Sequence, residues 1–422
     1  MKEAFLHHLW KFKLLHSDLK LTTGECITVV HPGTHNHDAG PDFFNAKIKI
    51  DDVLLAGNVE VHVKSSDFLK HGHQYNVNYD QLILHVVLEN DSAHPELVKI
   101  PTLVIKDKYH PSIANNFDSL VYNISEIPCS GRVSAVSQLH IQDMLAKCFH
   151  QRLQRKHQEV MAYLERCQQD WEQVLYLLLL RAFGHKINAM PFELLAFKTP
   201  ISFLRKHRDQ LFQIEAILFG QAGLLHQQFT DEYPTRLKNE YLFLKSKFNL
   251  NDILPTQFKF LRLRPANFPT LRIAQVASLI HHQEHLFSKL LYCKTPLEIS
   301  SLFSFKPSAY WNNHYRFDLL SKGYNPTPGQ TTMNVLILNV VIPILYSYAY
   351  ALNDEDLMNQ TYELLRMVDP EDNKVVRQWI AAGITPANAQ ESQSLLTLKA
   401  EWCDQKKCLL CTIGNQLINQ IQ

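Results

Sequence analysis

Residues 40–85 read GPDFFNAKIKIDDVLLAGNVEVHVKSSDFLKHGHQYNVNYDQLILH, the densest run of acids, imidazoles and amines in the chain. Two alternating runs, Ala46 to Ile50 and Val59 to Lys64, are separated by the turn-like pairs Asp51-Asp52 and Gly57-Asn58, a pattern that predicts a β-hairpin. Side chains alternate across a strand, so Glu60, His62 and Lys64 share one face and Val59, Val61 and Val63 the other. In such a hairpin Asp42, at the mouth of the first strand, approaches Glu60 across the sheet. Two carboxylates at one point suit a hard divalent ion, Mg²⁺ or Mn²⁺, which takes carboxylates together with waters and substrate phosphate oxygens. Asp42 and Glu60 are the expected metal ligands, with Lys64 or His62 set to stabilise developing charge or to position an attacking water.

Pro41-Asp42, followed by Glu60 with basic side chains two and four residues on, resembles the motif of the PD-(D/E)XK nuclease superfamily. The resemblance implies an α+β N-terminal domain with a restriction-endonuclease-like core, a mixed sheet with flanking helices. Its parts would be a leading helix (Lys2 to Leu15), the hairpin, a polar helix at about Ser66 to His71 and an apolar strand (Leu82 to Leu88). It further implies metal-dependent phosphodiester hydrolysis, on DNA before RNA, and places Glu3 of the leading helix near the metal. One position departs: the superfamily's lysine stands two residues after the acid, where this chain has His62. Three alternatives stay open: Lys64 substitutes, His62 substitutes, or the fold is a non-catalytic nucleic-acid-binding or scaffold protein. At a closer level NHDAGPDF, GNVEVHVKSSDF, HGH and LHVVLEN resemble a family of bacterial proteins of unknown function, frequent in Bacteroidetes. That likeness continues through AFGHKINAMPFELLA, RPANFPTLRIAQ, YWNNHYRF and CLLCTIGNQ over most of the chain.

A chain of 422 residues exceeds one typical domain. Its character changes near Cys129, which predicts a nuclease-like domain at 1–128 and a mostly α-helical domain at 129–422. Apolar residues at 46% and charged ones at 20% fit a globular chain, and a net charge of +1 leaves nucleic-acid contact to local patches. Glycine is scarce, with no GxxxxGK[ST] and no GxGxxG, which argues against the common nucleotide cradles. Twelve of the 22 histidines precede Pro128, the part that holds the candidate site. The opening MKEAFLHHLWKFKLL mixes charge with apolar residues and does not read as a signal peptide, and eight scattered cysteines point to a reducing cytoplasm. Val335 to Leu352 carries no charge, but Asn339, Pro343, Ser347 and three tyrosines make it a buried core helix in preference to a membrane span.

His35 and His37, and His71 and His73, form HxH pairs that raise a third reading, a Zn or Fe enzyme acting on a small molecule. His71, His73, Tyr79, Asp80 and His85 flank the Leu82 strand and are read as support for the site or as contacts to phosphate and base edges. His85, in an apolar strand, reads equally as a hydrogen-bonded core histidine. Helices are expected at Val136 to Gln168, Trp171 to Phe183, from Asn188, and at Ile201 to Phe219, Pro234 to Lys247 and Leu271 to Leu291. Arg262, Arg264 and Arg272, around a proline-punctuated turn, are a candidate phosphate clamp. Arg152, Arg155 and Lys156 form a basic helix side, and the rings of Pro307 to Asp318 could stack bases. Cys403, Cys408 and Cys411 make a C-x₄-C-x₂-C cluster suited to Zn²⁺ or an iron–sulfur cluster, with Cys129 as fourth ligand; buried free thiols are the alternative.

Overall fold

The computed structural model describes residues 3–36 and 38–421. Phe5, Leu6, Leu9 and Trp10 recur at helical spacing and form the buried face of α1 (Glu3–Lys11). Then follow β1 (Ile27–His31), β2 (Thr34–His35), β3 (Phe43–Ile50) and β4 (Val53–Lys64), joined at the third turn by Asp51-Asp52, where Asp51 takes a φ of +46°. A short α2 (Asp67–Lys70) leads to β5 (Leu82–Glu89), and α3 (Pro95–Val98) to β6 (Thr102–Val104). The sheet order is β1-β3-β4-β5-β6, with β2 also on β3; β3 and β4 are antiparallel, while β4, β5 and β6 run parallel. This is a mixed sheet with flanking helices, as expected.

The hairpin differs from expectation in one respect. Gly57-Asn58 is not a turn but lies inside β4, a strand of twelve residues. A Cβ at Gly57 would stand 2.4 Å from Ile83 Cγ2 and 2.8 Å from the Gln81 carbonyl oxygen, so glycine here serves the close approach of β5. The strand expected over Ile100 to Lys106 is shorter, because only Thr102 to Val104 pair with β5.

After α4 (Pro111–Val121) comes α5 (Gln138–Arg166), and within it the chain passes from one compact unit to another. The first unit comprises Met1–Cys148, Asp372–Thr385 and Ser394–Gln422; the second comprises Phe149–Glu371 and Pro386–Gln393. This corrects the division at 128/129 in two ways: the break falls inside a helix, and the cysteine tail belongs with the sheet. The reason is burial, since Leu395, Leu398, Ile413 and Leu417 join Val59, Val61, Leu84 and Val86 in one core.

The second unit is helical, as expected. Trp171–Phe183 is a helix closed at Gly184, but the next begins at His185 and carries Pro191 inside it. The Ile201 and Leu271 stretches each break into two helices, at Ile201–Arg205 and Leu211–Gln221, and at Pro269–His282 and Leu286–Leu291. The uncharged segment lies in a helix over Gln330–Leu352, two-thirds buried (67%) in its most apolar window.

Candidate functional site

Register brings the two acids together. Phe43 pairs with Val59, so Asp42 lies opposite Glu60: the Asp42 N–H donates to Glu60 Oε2 at 3.0 Å, and the Val61 N–H donates to Asp42 Oδ2 at 3.0 Å. From α1, His7 Nε2 stands 3.2 Å from Asp42 Oδ2 and 3.9 Å from Glu3 Oε1, yet this buried nitrogen meets hydrogen-bond geometry with no partner. Glu60 Oε1 lies 3.5 Å from His62 Nε2 and 3.3 Å from His73 Nε2. His62 is sandwiched, its Nδ1 3.0 Å from His85 Nε2 and its Nε2 3.2 Å from His71 Nδ1. The ligand atoms of His62, His71 and His73 all lie within 4.8 Å of one another. Donors on a tetrahedral zinc stand about 3.4 Å apart, so several of these separations match a metal's coordination sphere.

Burial sets the charges. Glu60 is pushed up to about 8, first by burial and then by the charge of Asp42. Burial pulls equally on Asp42, but the His7 imidazole, the Val61 N–H and His62 outweigh it and hold its carboxyl below the usual range. Burial, followed by neighbouring imidazoles, drives His62 down to about 3 and His85 to about 4, and lowers His73. These rings are neutral at pH 7, each with one ring nitrogen that carries a lone pair.

Of the other site candidates, Lys64 sits at the exposed end of β4, where its backbone N–H donates to Asp67 Oδ2. Of the two residues offered for the lysine's role, His62 is the one brought to Glu60. Asp80 is exposed, its N–H bonded to the Val77 carbonyl, and is not gathered with the acids. His85 combines both of its readings, a buried strand histidine that fixes the His62 ring. Tyr79 stacks on His73 with centroids 4.1 Å apart. His35 stacks on Phe43 and meets His7 edge-on, while His37 lies outside the described residues. His7 was missed by sequence reasoning; its i, i+4 spacing from Glu3 on one helix face was the available signal.

The arginine clamp is corrected. Arg272 is only 4% exposed and spends its guanidinium on Gln275, Asn267 and Thr332, while Arg262 and Arg264 are exposed. Helix packing claimed Arg272, since it falls within Pro269–His282, a helix buried through most of its length. Arg152 donates to Asn339 and Lys156 pairs with Glu159. In the Pro307 stretch Trp311 is fully buried, and Tyr310 stacks on His314 at 3.9 Å, so these rings pack inward.

Two features remain in the first unit. Cys129, Cys403, Cys408 and Cys411 line one cavity, so the structure does bring the four expected cysteines together. Beside the acids, His7 and His35 open onto a groove of about 1620 Å³ whose lining includes Lys11, Lys147, Lys406 and Lys407 and no carboxylate. Lys147 stands 4.5 Å over the Trp402 ring in that lining.

The model of a family described as "Protein of unknown function (DUF2851)" matches residues 3–374. No curated protein and no solved structure matches the chain.

Proposed function

We propose that this chain, which belongs to that family of unknown function, is a metal-dependent phosphodiester hydrolase acting on nucleic acid, DNA before RNA. One observation carries the reading: Asp42 and Glu60 meet at one point under neutral imidazoles, with His7 Nε2 3.2 Å from Asp42, a gathering of carboxylates and ring nitrogens that suits a divalent cation. Asp42 and Glu60 would hold a divalent ion. As hard oxygen donors the two carboxylates suit Mg²⁺ or Mn²⁺. When bound, the ion supplies Lewis acidity toward a phosphoryl oxygen and acidifies a coordinated water. His7 orients Asp42, and His85 fixes the ring of His62. An antiparallel hairpin carrying both acids, then a helix and a parallel strand, supports a restriction-endonuclease-like core. The acid-free lysine groove, with the exposed Phe12 in its lining, supports a polyanion with stackable bases.

The test is cleavage of labelled single- and double-stranded DNA and RNA with Mg²⁺, Mn²⁺ or EDTA, beside Asp42→Ala and Glu60→Ala variants checked for folding. Cleavage that needs metal and disappears in both variants is expected; equal activity in variants and wild type sinks the proposal. A second reading rests on the convergence of His62, His71 and His73, which suits Zn or Fe and small-molecule chemistry. Tightly held Zn or Fe, lost on His73→Ala, with no cleavage of any nucleic acid, would replace the first reading by this one.

A further inference from the structure

Cys129 follows α4, whereas Cys403, Cys408 and Cys411 come from the C-terminal segment, yet all four line a single small cavity with Trp402 and Gly414. All are free thiols and none is more than 9% exposed. Core cysteines that merely fill space have no reason to gather from distant segments around a shared void. A Cβ at Gly414 would stand 2.3 Å from the Cys408 carbonyl oxygen, so the turns bearing Cys408 and Cys411 are packed directly on each other.

We propose that Cys129, Cys403, Cys408 and Cys411 hold an iron–sulfur cluster. Sulfurs on one tetrahedral zinc, bonded at about 2.3 Å, would stand about 3.8 Å apart. Among the described residues the group whose ligand atoms all fall within 4.8 Å of one another is His62, His71 and His73; no three of the sulfurs do so. A polynuclear cluster takes that wider spread, because its thiolates are divided among several irons. The C-x₄-C-x₂-C spacing with a distant fourth cysteine also occurs among iron–sulfur proteins. When a preassembled cluster is transferred from a carrier, four S–H bonds and four bonds from iron to the carrier's ligands break, four S–Fe bonds form, and the four protons leave with the displaced ligands or to solvent, with no change of oxidation state. The cluster ties the C-terminal segment to the region after α4, and with it Trp402, Lys406 and Lys407 of the groove lining.

The full chain is produced with iron, purified without oxygen, and analysed for iron, labile sulfide, zinc and visible absorption. The expected result is about two to four irons per chain with as much sulfide, and a sulfur-to-iron charge-transfer band. Cys129→Ser, Cys403→Ser, Cys408→Ser and Cys411→Ser each lose at least half of that iron, whereas Cys293→Ser, in the other unit, keeps it. One zinc per chain without iron overturns the proposal, and so does a metal-free wild-type chain. Should the serine variants fail to fold, the wild-type iron, sulfide and zinc contents decide alone. None of these readouts depends on nuclease activity.

Discussion

Asp42 and Glu60 sit side by side yet are shifted in opposite directions: burial raises both, but the fold gives Asp42 His7 and the Val61 N–H against it, whereas Glu60 also meets the charge of Asp42. The same competition acts alone at Glu215 in the second unit, which is 1% exposed and far in sequence from the acids. Tyr233 and Ser308 donate to it at 2.6 and 2.9 Å, but burial still pushes it up to about 7. A raised acid works against stability as pH climbs. Below about 4.5 both states are protonated; between there and about 7 the unfolded chain gives up a proton the folded one keeps; above that the loss is constant, on the order of 3 kcal/mol. Glu215→Gln should remove this fall, so that urea midpoints at about pH 5 and about pH 8 draw closer than in wild type. An unchanged gap would show that Glu215 does not titrate in this range. At this scale the acids were legible, since alternation alone places Glu60 and His62 on one strand face and Asp42 at its mouth. His7 was not, because only the packing of α1 against β4 brings it there.

Within elements, strands and helices were read from periodicity, and the errors fall where one residue type serves two purposes. Gly57-Asn58 resembles a turn, but the glycine is spent on letting β5 come close. Pro191 resembles a helix start, but it lies within His185–Lys198, a helix already running. The Gly57 contacts make a direct prediction. Alanine there drives a methyl into Ile83 and the Gln81 carbonyl, in the stretch where β4 meets β5 just before Glu60. Gly57→Ala should destabilise the first unit by about 2 kcal/mol, read as a lower urea midpoint, and loosen the Glu60 and His62 positions with it. A midpoint equal to wild type would mean that β5 can shift to make room.

At the scale of the molecule, the change of composition near Cys129 marks where helices begin and not where a unit ends. A sequence gives no sign that a segment almost 250 residues further on returns to the sheet, because docking depends on the shape of a core built elsewhere. The family match stops at 374, yet Ser394–Gln422 belongs to the first unit. Leu395, Leu398, Ile413, Leu417 and Ile418 are 0–1% exposed there, and the Trp379 Nε1–H donates to the Leu395 carbonyl. Asn116 on α4 donates to the Gln420 carbonyl at 2.9 Å, and Arg132 bonds Asn116 in turn. Losing one buried leucine or isoleucine side chain costs about 2–5 kcal/mol, and a whole domain has about 5–15 kcal/mol to lose. A chain ending at residue 393 forfeits five such side chains together with three cysteines, so its first unit should not fold. Limited proteolysis should then cut freely within 3–148, whereas the full chain resists there. A truncated chain that protects 3–148 would show that the sheet stands without this segment, and the cysteine cavity would then be an accessory to the site in place of part of its foundation.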